Sequence, residues 1–245
     1  MRLDKALVER GFVSTRARAR DLILRGLVEL AGVVQRKPGA DVGPGDAIRL
    51  AGGEGEARLV SRGALKLAAA LDHFRFAVDG IVALDLGAST GGFTQVLLGR
   101  GAARVYAVDV GHGQLHPGLA RDPRVVSLEG CDARALDAAP IPDAVGAIVA
   151  DVSFISLIKA LPPALALARP GTWLVALVKP QFEAGRAAVG KGGIVRDAAV
   201  RERAVAAVRD WLTEQPGWQV IGVMPSPIAG GSGNREFLLG AIRGE

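Results

Sequence analysis

The chain is nearly without cysteine: Cys131 is the only one in 245 residues. One thiol closes no intramolecular disulfide and builds no cysteine-rich zinc site, so a reducing compartment is expected and Cys131 reads first as a small buried hydrophobe. Long apolar runs are missing as well. The longest, Ile81–Leu86 and Trp173–Val178, are strand-sized, well short of the roughly 18–20 residues that cross a bilayer. The opening Met1-Arg2-Leu3-Asp4-Lys5 brings charge at once with no apolar core behind it, unlike a secretory signal. These absences lead to the expectation of a cytoplasmic protein with no membrane partner. Disorder is excluded by composition, since 49% of residues are hydrophobic against 22% charged, enough apolar mass for a sizeable core.

What is present begins with basic charge. Lys plus Arg number 30 against 25 Asp plus Glu, a formal net charge of +5 that favours a polyanionic partner. The length fits one large domain with a small one, and the first fifty residues do differ in texture. Leu3, Ala6, Leu7 and Val8 recur at helical spacing, Gly11 breaks the chain, and Ser14 is placed to cap a second helix running to about Arg25 and closed by Gly26. Val28–Leu30 and Val33–Val34 flank Ala31-Gly32 as a tight hairpin, and Gly43-Pro44-Gly45-Asp46 feeds a short strand to Leu50. Arg16, Arg18 and Arg20 alternate along the second helix with Arg25 beyond it; with Arg2 and Lys5 they are candidates for binding RNA phosphates. The plainer alternative is a solvated basic face on a larger enzyme. Residues 51–57 carry three glycines and no periodicity, the texture of a linker. The expected organisation is a domain over 1–50, a linker over 51–60 and a second domain over 61–245.

From Ile81 onward strand-sized runs alternate with amphipathic stretches: Ile81–Leu86, Arg104–Val108, Arg124–Leu128, Val145–Ala150, Trp173–Val178, Trp218–Met224 and Phe237–Ile242. That alternation predicts an α/β layer around a mainly parallel sheet. The first of these strands runs into Asp85-Leu86-Gly87-Ala88-Ser89-Thr90-Gly91-Gly92-Phe93, a turn whose glycines let the backbone approach a ligand before a helix starts. It has no Gly-Lys-Ser/Thr and no Gly-x-Gly-x-x-Gly, so it is neither a P-loop nor a dinucleotide fingerprint. Asp85 would repel a pyrophosphate and suit a cationic amino acid. Asp109 ends the next strand roughly 20 residues on, where a ribose diol would lie, and Asp132 follows the third, where it could accept from an adenine amino group. Together these three point to S-adenosylmethionine.

Four further polar residues fall where the carboxyl edge of the sheet is expected. Asp151 and Lys179 end the fourth and fifth strands, Lys66 lies on a predicted helix before the first, and Glu236 opens the last. If that last strand is antiparallel, all four converge at one crevice. Each alone is more often a solvated terminus. Lys179, delivered by an apolar run to a proline, is the least ordinary. His112 and His116 have the i, i+4 spacing of metal ligands, but Pro117 adjoins the second and no third ligand follows, so no metal is expected. His73 reads as structural.

Two resemblances sharpen this picture. Arg2-Leu3-Asp4-Lys5, Leu7, Ser14–Arg16, Ala19, Ile23, Gly26, Val28, the Gly32 hairpin, Pro38 and Gly45-Asp46 resemble the RNA-binding fold of small-subunit ribosomal protein S4, with Thr15 and Glu29 as departures. The ordered set Ser-Arg-Gly-Ala-Leu-Lys-Leu, Asp-Leu-Gly-Ala-Ser-Thr-Gly-Gly-Phe, Asp-Val-Ser-Phe-Ile-Ser-Leu, Lys-Pro-Gln-Phe-Glu and Gly-Asn-Arg-Glu-Phe is similar to the TlyA family of bacterial ribosomal RNA 2′-O-methyltransferases, with Ala64 where the family commonly has glycine. The resemblance implies a Rossmann-like class I methyltransferase: a seven-stranded, mostly parallel sheet with its last strand antiparallel, behind a small α+β RNA-binding domain. It implies a catalytic tetrad of Lys66, Asp151, Lys179 and Glu236, and a cofactor site over Asp85, Gly87, Ala88, Ser89, Thr90, Gly91, Asp109 and Asp132. The implied substrate is a cytidine ribose in ribosomal RNA of either or both subunits.

The tetrad suits that reaction. A ribose hydroxyl is a poor nucleophile, and Lys179 in its neutral form can take its proton during attack on a sulfonium methyl. Much of the rate can come from holding oxygen, methyl and sulfur in line. A methyltransferase for amides or base nitrogens would call for an Asn/Asp-Pro-Pro-Tyr/Phe cage where this chain has Asp151-Val152-Ser153-Phe154. A non-catalytic ribosome-binding or assembly factor would have no use for an intact tetrad. A pore-forming haemolysin, the family's historical name, would need spanning helices or barrel strands. No pattern in the sequence sets an oligomeric state.

Overall fold

The computed structural model describes residues 1–13, 16–24, 26–50, 59–230 and 233–244, with the side chains of residues 17, 18 and 21 outside the description. The chain forms two compact units, Met1–Leu59 and Val60–Glu245. Of the expected linker over 51–60, residues 51–58 lie outside the described residues, as do Ser14 and Arg25.

In the first unit, α1 (Leu3–Glu9) and α2 (Arg16–Leu24) are followed by β1 (Val28–Leu30), β2 (Val33–Gln35) and β3 (Ile48–Leu50). The three strands are antiparallel in the order β2-β1-β3. The hairpin turns on Ala31 and Gly32, both at positive φ. Leu3, Leu7, Ala19, Leu22, Ile23, Val28, Leu30 and Val42 form one buried core, which is the apolar periodicity of the helices meeting one face of the small sheet.

The second unit starts with α3 (Gly63–Phe74) and continues β4 (Val82–Leu86), α4 (Gly92–Gly99), β5 (Arg104–Asp109), α5 (Pro117–Ala120), β6 (Val125–Glu129) and β7 (Val145–Ala150). Then come α6 (Leu157–Ala160), α7 (Pro162–Ala166), β8 (Ala168–Val178), α8 (Pro180–Glu183), α9 (Ala198–Thr213), β9 (Trp218–Pro225) and β10 (Phe237–Arg243). The seven strands lie in the order β6-β5-β4-β7-β8-β10-β9. All neighbours are parallel except β10, which is antiparallel to both β8 and β9. Strand β7 is buried at every position, as a central strand covered on both faces must be. On one face Leu84, Leu86, Ile148 and Leu174 pack with Leu157, Leu161, Val208 and Leu212 of α6, α9 and the turn before α7. On the other, Ala83, Val105, Val149 and Leu177 pack with Leu67 and Leu71 of α3 and Phe93 and Leu97 of α4. The strand order reverses between β4 and β7, and the crevice outside their carboxyl ends is where an open α/β sheet binds its ligand.

Candidate active site

Register brings the four expected polar residues to one edge. Leu86 pairs with Ala150, so Gly87 and Asp151 leave the sheet side by side, and the Asp151 amide donates to the Leu86 carbonyl at 2.9 Å. Phe237 pairs with Val178 in the antiparallel ladder, so Glu236 enters β10 where Lys179 leaves β8. Lys66 Nζ and Glu236 Oε2 stand 2.6 Å apart, with side chains 9% and 3% exposed. Lys179 Nζ lies 2.7 Å from Asp151 Oδ1, 2.8 Å from Ser153 Oγ and 3.4 Å from the Asp151 carbonyl. The two pairs are linked through α3: a Cβ at Gly63 would lie 3.5 Å from Asp151 Oδ2, and Lys66 follows one turn later. Buried charges persist only when paired and hydrogen-bonded, and the three buried members, Lys66, Lys179 and Glu236, meet that condition here.

Sequence reasoning missed two members of this constellation. Ser153 adds a hydroxyl to Lys179, a contact whose signal was its place two residues after Asp151. Phe154 is 92% exposed, takes a left-handed φ of 65°, and holds its ring 5.2 Å from that of Phe182. An exposed phenyl ring in a conformation that large side chains avoid is the kind of outlier that clusters at functional sites.

The expected cofactor residues gather around the β4 turn. Gly87 has φ 79°, and a Cβ there would come within 2.8 Å of the Asp151 carbonyl. Gly91, at φ 93°, precedes α4, and a Cβ on it would meet Leu119. The Gly87 and Ala88 amides donate to the Val108 carbonyl at 2.9 and 3.1 Å, Ser89 and Thr90 are exposed, and the Thr90 carbonyl accepts from the His116 amide at 3.2 Å. Asp109 accepts from the Ser89 amide through Oδ2 and from the Gly111 amide through Oδ1, each at 2.8 Å. A carboxylate has about four acceptor sites, so lone pairs remain for a diol. Ala88, Ser89, Asp109, Gly111, Gln114, Leu115 and Glu129 line the crevice beside it. Its charged groups are carboxylates, with no cation to hold a pyrophosphate.

Asp85 lies beneath this turn, fully buried. Its Oδ2 accepts from Thr94 Oγ1 at 2.6 Å while Oδ1 has no partner among the described residues. Burial pushes the carboxyl up to about 7, with Thr94 opposing and Asp151 and Asp109 adding repulsion. Asp132 is engaged by a neighbour that the sequence pattern did not bring out: it accepts from the Arg134 amide at 2.9 Å and pairs with the Arg134 guanidinium at 2.5 Å. The hydrogen bond from Arg134 holds its carboxyl down at about 2. Cys131 is half-buried, not fully buried as expected, because it sits at the rim of the core. His116 caps α5 through Nδ1, which accepts from the Gly118 amide at 3.1 Å, and His73 is exposed with its ring edge-on to Phe74.

In the first unit Arg16 and Arg20, four residues apart, share a face of α2. Arg16 and Arg2 converge on buried Asp4, at 2.9 and 3.1 Å, and the Arg2 hydrogen bond, with help from Arg16, holds the Asp4 carboxyl at about 2. Both arginines stay more than half exposed. Lys5 pairs with Glu9 at 3.3 Å, and Arg20 is exposed. The Arg18 side chain and Arg25 lie outside the described residues. Glu29, the acidic departure in the hairpin, is matched by Arg49 at 3.0 Å.

A glycine turn after the first central strand, an acidic residue after the second and polar pairs along the carboxyl edge define a methyltransferase of the Rossmann-like class. In agreement, the FtsJ-like methyltransferase family matches residues 59–243 and the S4 domain family residues 1–48. The chain is 47% identical over 238 residues, 97% of its length and 88% of the relative's, to the 16S/23S rRNA (cytidine-2′-O)-methyltransferase TlyA of Mycobacterium tuberculosis. Hemolysin A of Brachyspira hyodysenteriae is 39% identical over 97% of this chain and 98% of that one. A solved structure from Streptococcus thermophilus, provisionally named a hemolysin, is 40% identical, covers 100% of this chain and 89% of that one, and superposes with a TM-score of 0.76. The protein belongs to the TlyA family. Among the described residues no helix is long and apolar enough to cross a membrane.

Proposed function

We propose that this protein is a cytoplasmic enzyme that methylates the ribose 2′-hydroxyl of a cytidine in ribosomal RNA, on a ribosomal subunit, using S-adenosylmethionine. The observation that carries the proposal is the meeting of two lysine–carboxylate pairs, the buried Lys66–Glu236 and the buried Lys179 with half-buried Asp151, at the edge that also holds the acidic cofactor crevice. When bound there, S-adenosylmethionine supplies an electrophilic methyl on a positively charged sulfur. Gly87 and Gly91 let the turn that would hold it pass close to the end of β7 and to Leu119, Asp109 offers acceptors to its ribose, and the acidic surroundings complement its positive charge.

The protein's own residues then handle one proton and one oxygen. Lys179, having given its proton to solvent, takes the proton from the hydroxyl as that oxygen attacks and becomes the ammonium that Asp151 pairs. Ser153 makes this exchange inexpensive, because a hydroxyl accepts a hydrogen bond from an ammonium and donates one to a neutral amine. Asp151 keeps the nitrogen in place in both states. Lys66, paired with Glu236 at 2.6 Å, adds rigidity to the edge and presents its ammonium dipole toward the developing oxyanion. Phe154 offers a flat apolar face to a base drawn out of the RNA stack, the usual way a single nucleotide is held for chemistry. Arg2, Lys5, Arg16, Arg18, Arg20 and Arg25 supply the phosphate contacts of the first unit. Arg2 and Arg16 can serve both Asp4 and RNA, because a guanidinium has five donors.

The test is methyl transfer from labelled S-adenosylmethionine to ribosomal subunits purified from cells lacking the protein. Label in an alkali-resistant cytidine-containing dinucleotide is expected. Tight subunit binding without transfer would identify an assembly factor instead, and label on a base or a protein would move the substrate elsewhere.

A further inference from the structure

We infer that Glu183 is a positioning residue that braces the loop from Asp151 to Leu157, and so sets both the Ser153 contact to Lys179 and the exposure of Phe154. The inference rests on the reading of Lys179 given above. Glu183 ends α8, four residues after Lys179, and reaches across to the segment that follows β7. Its Oε2 accepts from Ser156 Oγ at 2.5 Å and its Oε1 from the Leu157 amide at 2.9 Å. No cation is paired with it among the described residues, and burial pushes its carboxyl above the usual range against the pull of these two donors. A half-buried carboxylate without a cation gives up solvation that two hydrogen bonds repay only in part.

What the brace holds explains its place. Phe154 keeps a left-handed backbone with its ring in the open; both are unfavourable for a phenylalanine on its own. Released, it would relax toward extended φ or fold its ring onto apolar surface, and either motion would move the adjoining Ser153 off Lys179. Glu183 anchors the loop at its far end, and Phe182, the residue before it, supplies the ring that Phe154 meets. One short helix therefore carries the base at its start and the loop's anchor at its end. A plain structural account makes Glu183 only a cap on the first turn of α6, and the two accounts differ in what else changes when it is removed.

The experiment uses the full chain with Glu183→Ala and Glu183→Gln, each also placed in a Ser153→Ala, Phe154→Ala background. Hydrogen exchange of the peptide spanning residues 152–158 reads the brace without reference to activity, and calorimetric binding of S-adenosylmethionine reports the folded fraction. Glu183→Ala is expected to speed exchange in that peptide and to lower the single-turnover rate roughly ten- to a hundredfold, with cofactor affinity kept within about twofold. Glu183→Gln still accepts from the Leu157 amide and should recover most of the rate. In the doubly substituted background the loss from Glu183→Ala should shrink to less than about threefold, since coupled residues are not additive. Unchanged exchange, an equal loss in both backgrounds, or a Gln variant as slow as the Ala variant would overturn the inference. If the unsubstituted protein transfers no methyl group, that failure belongs to the functional proposal, and the exchange measurement still decides the brace.

Discussion

Lys179 meets three oxygens, from Asp151 Oδ1, Ser153 and the Asp151 carbonyl, and substitution separates its charge from its proton. Lys179→Ala is expected to lower single-turnover methyl transfer by about a thousandfold, the usual scale of a lost general base, with affinity for cofactor and RNA nearly unchanged. Lys179→Arg should fare almost as badly, because a guanidinium keeps its charge but does not shed its proton near neutrality. Near-normal turnover by the Arg variant would leave Lys179 only an electrostatic role. Asp85 gives a prediction in pH. Its folded-state value of about 7 stands above the unfolded value, so between about pH 4 and 7 the folded chain holds a proton that the unfolded chain has lost, and stability falls as pH rises through that window. Asp85→Asn should flatten this fall. Urea midpoints of the two proteins at pH 5 and pH 8 check it, and equal slopes would mean that Asp85 ionises freely.

At the scale of elements, the site is made by strand ends and tight turns. The β4–α4 turn passes so close to the end of β7 that Gly87 has backbone where a side chain would be, in a left-handed conformation that costs other residues about 1–3 kcal/mol. Gly87→Ala should therefore weaken S-adenosylmethionine binding by roughly tenfold or more, while circular dichroism still reports a folded sheet; calorimetric titration reads the loss. The N-terminal end of α1 depends in the same way on Asp4, the shared partner of Arg2 and Arg16. Because its carboxyl is held near 2, this stabilisation is complete above about pH 4 and lost as pH falls toward 2. Asp4→Asn should abolish that acid sensitivity in exchange-protection measurements on α1.

For the whole molecule, the proposed function assigns docking and chemistry to the two compact units, Met1–Leu59 and Val60–Glu245. Removing residues 1–50 should leave S-adenosylmethionine binding intact and sharply weaken association with ribosomal subunits. The intact protein's RNA affinity should fall with salt, by a slope near −0.7 for each phosphate contacted if the bound RNA is single-stranded, and the truncated protein's slope should be shallower. Filter binding at several salt concentrations reads both. A truncated chain that methylated subunits as efficiently as the full one would remove the docking role from the first unit.

Much of this protein is determined by local pattern. Apolar runs of strand length, the glycine turn after Leu86, acidic residues at strand ends and the hairpin at Ala31-Gly32 are readable because each reflects the conformational needs of a few neighbouring residues. The seven strands follow from the same kind of signal, although β8 starts at Ala168, earlier than the apolar run beginning at Trp173 would place it, because buried Ala168 pairs with Val145 of β7 across a register shift that the exposed residues Arg169–Gly171 interrupt. Contacts across long separations were decided by the tertiary structure. Arg16 reaches Asp4 from 12 residues away and the exposure of Phe154 is set by a backbone twist, whereas Arg2 on Asp4 and Arg134 on Asp132 are partners two residues apart that local pattern could have supplied. The Lys66–Glu236 pair joins residues 170 apart in sequence; only the antiparallel register of β10, fixed by burial of its side chains against β8, brings Glu236 to the edge where Lys179 ends.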